Sequence, residues 1–292
     1  MVSSVRTDIP GGLHATVAAV LPGLRPSDAK VMRLVLADPA FARSATTDEL
    51  AARAEVSPAT VVRAARAAGF EGFGDLKRAL VRDLATQPGA APPEQLTETS
   101  TVSEISELVL TSHAAGIRAT GATLHPAALD NAVSLLAPAR SILVFGVGTS
   151  AAPAADAAYR WTAIGCRAGA PHDSRTAQLQ ARQLRPGEPL VAISHSGRSV
   201  ETLAVVDAAR TAGASVLAIT SFASSPLADR ADVVLVAGGP DLGLQMAPSS
   251  SRLAHLAVVD ILHAAISFAD LPRARHALRI ATEISEAGSR SR

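Results

Sequence analysis

Short apolar runs alternate with helical patterns over the second half of the chain. The runs at 141–145, 190–194, 216–220 and 233–237 are nearly free of charge. That suits strands buried on both faces of a parallel sheet. Helical patterns lie between them at about 150–164, 174–184 and 200–212. Such alternation predicts a doubly wound α/β domain. Longer helical segments, about 104–137 and 250–268, flank it. The first 84 residues read as helical, whereas 85–103 are rich in Pro, Gly, Ala, Ser and Thr and carry no basic residue, which is linker chemistry. The predicted organisation is therefore an all-α domain over 1–84, a linker over 85–103 and an α/β domain over 104–292.

Composition narrows the function classes. A chain of 292 residues with 48% hydrophobic content is long enough for two packed domains. The formal net charge is +1, so there is no global basic field, and any DNA-binding surface must be local. Cys166 is the single cysteine, which leaves no disulfide framework and no cysteine metal cluster. The eight histidines lack the paired spacing of a zinc site, so no metal or cofactor is expected. No basic stretch followed by an apolar core opens the chain. The uncharged stretch 141–155 is too short, and too broken by glycine and proline, to span a bilayer. The expectation is a soluble cytoplasmic protein with no membrane partner.

The N-terminal zone carries the pattern of a helix-turn-helix. Pro26-Ser27-Asp28 opens a helix with Ser27 as the expected cap, and Thr47 is the expected cap of the next. Ser57 then caps a third helix whose first position is Pro58 and which stops at Gly69. A short helix, a tight turn and a second helix form the arrangement that places the second helix in the major groove. Ser57 and Thr60 lie at its N-terminal end, with Arg63 and Arg66 further along and Arg53 on the preceding helix. These five are the candidate DNA contacts. Residues 1–84 hold eleven basic and nine acidic side chains, a net of only +2. A three-helix bundle with a solvated face fits the same pattern.

Two loops of the second zone carry candidate chemistry. The first apolar run ends in Gly146-Val147-Gly148-Thr149-Ser150-Ala151. A strand, a glycine turn and a helix N-terminus make an anion site. The same string fits a dinucleotide fingerprint, but the acidic residue wanted about 20 positions on is missing, Asp173 being too far along. The second loop, Ser194-His195-Ser196-Gly197-Arg198-Ser199, sets three hydroxyls around a glycine just before a helix. Hydroxyls donate to phosphate oxygens, and the glycine lets the backbone approach. Ser194, His195 and Ser196 do not form a nucleophile elbow, so no hydrolase is read from them.

Several stretches resemble known families. Ala67-Ala68-Gly69-Phe70-Glu71-Gly72-Phe73-Gly74-Asp75-Leu76-Lys77, with the run at 48–63, is similar to the RpiR/MurR family of bacterial transcriptional regulators, although Ala64 and Ala65 stand where members more often carry an aromatic. The loops at 145–150 and 194–199, and the segments at 212–235 and 251–262, resemble the SIS phosphosugar-binding domain. The resemblance implies phosphate ligands at Thr149, Ser150, Ser194, Ser196 and Ser199, with His195 contributing through its backbone N–H. Arg198 stands where family loops usually have Glu, and is a possible effector contact. SIS isomerases of the glucosamine-phosphate synthase type carry a Glu before the long C-terminal helix. Residues 239–246 here contain none, though Asp241 is nearby. The resemblance therefore implies a regulator of carbohydrate metabolism with no catalytic residue. Its expected partners are operator DNA and a phosphorylated sugar or sugar acid, and it is expected to form a homodimer or homotetramer. The alternative is a phosphosugar isomerase with a helical assembly module.

Overall fold

A computed structural model of the chain describes residues 12–86, 99–238 and 249–290. The chain forms two compact units. One comprises 1–124, 221–225 and 236–254, and the other 125–220, 226–235 and 255–292.

The first unit is helical: α1 (Gly12–Val20), α2 (Pro26–Ala37), α3 (Pro39–Ser44), α4 (Thr47–Arg53), α5 (Pro58–Ala67), α6 (Phe73–Thr86) and α7 (Val102–Thr123). Two caps differ from the sequence expectation. Arg25, not Ser27, caps α2, with Pro26 at the first helical position and no side-chain cap bond. Thr46, not Thr47, caps α4. Its hydroxyl accepts the Glu49 N–H at 3.2 Å, and the Glu49 carboxylate accepts the Thr46 N–H at 2.7 Å. This reciprocal box satisfies two orphan donors at once. The Thr46 N–H and, secondarily, the Thr46 hydroxyl donate to the Glu49 carboxylate and hold it below the usual carboxylate range. Ser57 caps α5 as expected, accepting the Thr60 N–H at 3.3 Å. Gly69 follows with φ +95°, a left-handed turn that a side chain would strain.

That turn sends Phe70, Phe73 and Leu76 into the core, where they meet Val31, Met32, Val35, Leu50, Val61, Ala64 and Ala65. A bidentate ion pair ties α5 to α2. Arg63 donates from Nη2 at 2.7 Å and from Nε at 3.0 Å to Asp28, whose side chain is only 3% exposed. Ser27 accepts from Nη2 as well, at 3.1 Å. The segment read as one helix over 104–137 is two, α7 and α8 (Pro126–Leu136), because Pro126 starts a new helix. α7 packs along α1 within the first unit.

The second unit holds β1 (Ile142–Phe145), α9 (Ala151–Ala163), β2 (Ala168–Gly169), α10 (Ser174–Ala181), β3 (Leu190–Ser194), α11 (Val200–Thr211), β4 (Val216–Thr220) and β5 (Val233–Val236). α12 (Ser249–Ala269), from residue 255 onward, and α13 (Leu271–Arg290) complete the unit. The four predicted strands and the three helices between them all form. The two-residue β2 and the charged α13 carry no long apolar run and were not expected. The sheet runs in the order β2-β1-β3-β4-β5, and β1 pairs in parallel with β2 and β3, as does β3 with β4.

Alternate side chains of each strand serve opposite faces. Leu143, Phe145, Leu190, Ala192, Val216 and Ala218 pack with Ala177 and Ala181 of α10 and Val205, Val206 and Ala209 of α11. The strand residues between them are equally buried, so the sheet is covered on both faces. The stretch Arg252–Ala269 of α12 is long and apolar enough to cross a bilayer by length and composition alone. Val258, Val259, Leu262 and Ile266 on one face of it are fully buried, while Ile261 and Phe268 on the other are exposed.

Two outcomes follow for stability. Thr46→Ala should cost about 1 kcal/mol in urea denaturation, and Thr47→Ala close to nothing; equal losses would contradict the cap assignment. Arg63→Ala should lower the melting temperature by leaving Asp28 buried and unpaired, and adding Asp28→Ala should recover part of the loss, as a double-mutant cycle would detect.

Candidate functional site

In the strand order 2-1-3-4-5 the connections from β1 and β3 leave toward opposite faces, so a crevice opens at their carboxyl ends, the usual ligand position of an open α/β sheet. The two hydroxyl-rich loops start there. A side chain on Gly146, just after β1, would put its Cβ 2.6 Å from the Ser150 carbonyl oxygen and 2.9 Å from that of Ile193. The first loop, its own return turn and the end of β3 are therefore in mutual contact at residue 146.

The first loop turns on Gly148, at φ +58°, and leads through a short 3-10 turn into α9. Ser150 is buried at the start of α9 and makes no cap bond with its side chain, while Thr149 is exposed. In the second loop Ser194 is buried, and its Oγ lies 3.3 Å from that of Ser199. Ser199 occupies the cap position of α11 without capping it. Gly197 sits at φ +63°.

Protein donors occupy four of this loop's carbonyls: the Gly197 N–H donates to Ser194 O at 3.3 Å and the Leu203 N–H to Ser199 O at 3.0 Å. Thr220 Oγ1 donates to His195 O at 3.2 Å, and the Leu227 N–H donates to Gly197 O at 3.0 Å. The Arg198 N–H turns onto Ser196 Oγ at 3.2 Å, which pins the loop's tip. In the first turn of α11, Thr202 Oγ1 is buried and meets no partner among the described residues. A hydroxyl-bearing loop at a helix N-terminus, with its carbonyls tied back, is a surface suited to an anion. The Arg198 side chain is exposed and has no partner among the described residues. Thr202 and Thr220 were not among the sequence candidates. Thr220 ends a strand beside the second loop, a position visible only once β4 is paired with β3. The segment 239–246, the place of the glutamate in the isomerases, lies outside the described residues.

In the first unit, α4, a turn and α5 form the expected helix-turn-helix. Its candidate residues have different degrees of freedom. Arg53 pairs with Asp38 at 3.1 Å and lies over the Phe41 ring, 4.3 Å from its centroid. Ser57 is exposed, but its Oγ is 2.9 Å from Thr60 Oγ1, and Thr60 is buried. Arg63 is committed to Asp28, whose hydrogen bond raises the guanidinium above its ordinary value. Arg66 donates from Nε to Glu71 O at 3.2 Å, and its Nη groups have no partner among the described residues. Arg43, in the last turn of α3 three residues before the Thr46 cap, is exposed with no partner among the described residues. Its only sequence signal was position, since charge alone does not separate it from ten other basic residues.

Known proteins match both units. The helix-turn-helix domain of the rpiR family matches residues 12–87, and the SIS domain matches 135–265. An uncharacterised HTH-type transcriptional regulator of Haemophilus influenzae is 30% identical over 259 residues, covering 87% of this chain and 89% of the relative. Among solved structures, the fold is shared with the Vibrio vulnificus NanR protein complexed with ManNAc-6P, with a TM-score of 0.59 and 24% identity over 93% of this chain and 97% of that one. The sugar isomerase domain of an RpiR transcription factor from Sphaerobacter thermophilus is 27% identical, with a TM-score of 0.57, over 62% of this chain and 99% of that one. Matched in both domains and along nearly the whole length of a relative, the chain belongs to the rpiR family of helix-turn-helix transcriptional regulators that carry a SIS domain.

Proposed function

We propose that this regulator binds operator DNA through α4 and α5 and responds to a phosphorylated sugar or sugar acid held by the loops after β1 and β3. The observation that carries the reading is the pair of hydroxyl-bearing loops at the topological switch point, with their carbonyls tied back. In this reading Thr149, Ser150, Ser194, Ser196 and Ser199 donate to the phosphate oxygens, and His195 contributes its backbone N–H. Such charge-assisted bonds are stronger than neutral ones. Arg198, exposed at the loop's tip, meets a second anionic group of the ligand. The ManNAc-6P complex of the Vibrio vulnificus protein, which shares the fold, supports a phosphosugar as the ligand class.

On the DNA side, Arg66 is the base-reading arginine. Arg53 and Arg43 face phosphates, and Ser57 and Thr60 fix the helix end that enters the groove. Arg63 acts mainly by holding α5 on α2. The protein works as a cytoplasmic homodimer or homotetramer, presenting paired modules to a two-fold related site. It needs no cofactor and turns nothing over. The ligand acts because it binds one arrangement of the DNA-binding modules better than the other; equal affinity for both would shift nothing.

The test is a binding titration on DNA upstream of its own gene, across a salt series, with and without a panel of sugar phosphates. Expected is sequence-specific binding that weakens with salt. One sugar phosphate should change the affinity by about fivefold or more. Ser194→Ala with Ser196→Ala should keep DNA binding and lose the response. Turnover of a sugar phosphate by the purified protein, with no specific DNA binding, would favour the isomerase reading instead.

A further inference from the structure

The recognition helix has an unusual solvent face. Ala59, Val62, Arg63 and Arg66 fall at helical spacing on one side of α5, opposite the buried Val61, Ala64, Ala65 and Ala68. Ala59 is exposed, and Val62 is half-exposed and lies outside the hydrophobic core of the unit. The polar groups near the N-terminal end of this helix are already engaged. Ser57 and Thr60 bond to each other, and Thr60 is buried. Arg63 spends its Nε and Nη2 on Asp28 and Ser27. Arg53, on the preceding helix, pairs with Asp38. What the first two turns of α5 offer to a base edge is therefore methyl groups and the remaining Nη1 of Arg63, with the freer guanidinium of Arg66 a turn further on.

Helix-turn-helix proteins bring the N-terminal residues of this helix against base edges. In the major groove the apolar feature of a base edge is the thymine C5-methyl, which small apolar side chains contact, while arginine pairs bidentately with guanine. We propose that Ala59 and Val62 read thymine methyl groups, so that each operator half-site carries thymines facing these residues and a guanine facing Arg66. The inference rests on the DNA-binding reading above and adds to it the chemistry of base selection. It also explains how Arg63 can stay locked to Asp28 without costing the site its specificity: hydrogen-bond readout is delegated to Arg66.

The experiment selects duplexes from a random-sequence pool with the full-length protein, then replaces each thymine of the winning duplex by uracil, which lacks only the methyl. Burial of one methyl is worth about fourfold in affinity. Uracil at the facing positions should therefore weaken wild-type binding by about that factor, and the penalty at one of them should vanish in Val62→Ala and at another in Ala59→Ser. Both positions lie outside the core, and unchanged melting curves would verify that the variants fold. Selected duplexes that tolerate uracil everywhere, or a penalty that survives unchanged in both variants, would overturn the inference while leaving DNA binding intact. Failure of the pool to yield any enriched duplex would overturn the DNA-binding reading, and this inference with it.

Discussion

Residue 146 leaves no room for a side chain: its backbone faces the carbonyl oxygens of Ser150 and Ile193 at distances a Cβ would violate. That close approach fixes how β1 hands over to its loop, how the loop folds back into α9, and how near it runs to the end of β3. The crevice at the switch point follows from strand order, but its usefulness follows from this contact. The rest of the cradle depends on the same economy of space. Ser194 and Ser199 approach to 3.3 Å, and Thr220 and the Leu227 N–H take up backbone carbonyls that would otherwise repel an anion.

The helix-turn-helix is governed by a different constraint, the placement of a buried carboxylate. Asp28 is nearly inaccessible and would be costly to keep charged alone. Arg63 satisfies it across 35 positions of sequence, which orients α5 against α2. The consequence reaches function. An arginine of α5 is committed to holding that helix on α2, and the helix's outward surface carries Ala59, Val62 and the freer Arg66.

Much of this was legible in the residues. The buried strands stood out because a parallel sheet covered on both faces needs continuous apolar runs, and the serine loop stood out because three hydroxyls flanked a glycine at a strand-to-helix junction. The capping box was also present in the string Thr46-Thr47-Asp48-Glu49, where the glutamate lies three residues after Thr46 and so selects it over Thr47. Pro126 marked the break between α7 and α8. Other features had no local signature. β2 is two residues long and owes its existence to pairing with β1. The commitment of Arg63 to Asp28, of Arg53 to Asp38 and Phe41, and of Thr220 to the second loop arises from tertiary contacts. No spacing within a window of sequence encodes those contacts, so the candidate DNA residues were recognisable as a group but not sortable into readers and supports.

In the proposed function, the loops after β1 and β3 together hold the phosphate of a sugar. Thermal denaturation of the full chain with a panel of sugar phosphates, their unphosphorylated sugars and inorganic phosphate tests it most directly. A ligand at 100 times its dissociation constant stabilises the folded state by about 2.7 kcal/mol. At least one sugar phosphate should give such a rise, the matching free sugar none, and Ser194→Ala/Ser199→Ala should lose it. Stabilisation by the free sugar as strongly as by its phosphate, or an undiminished response in that variant, would contradict it.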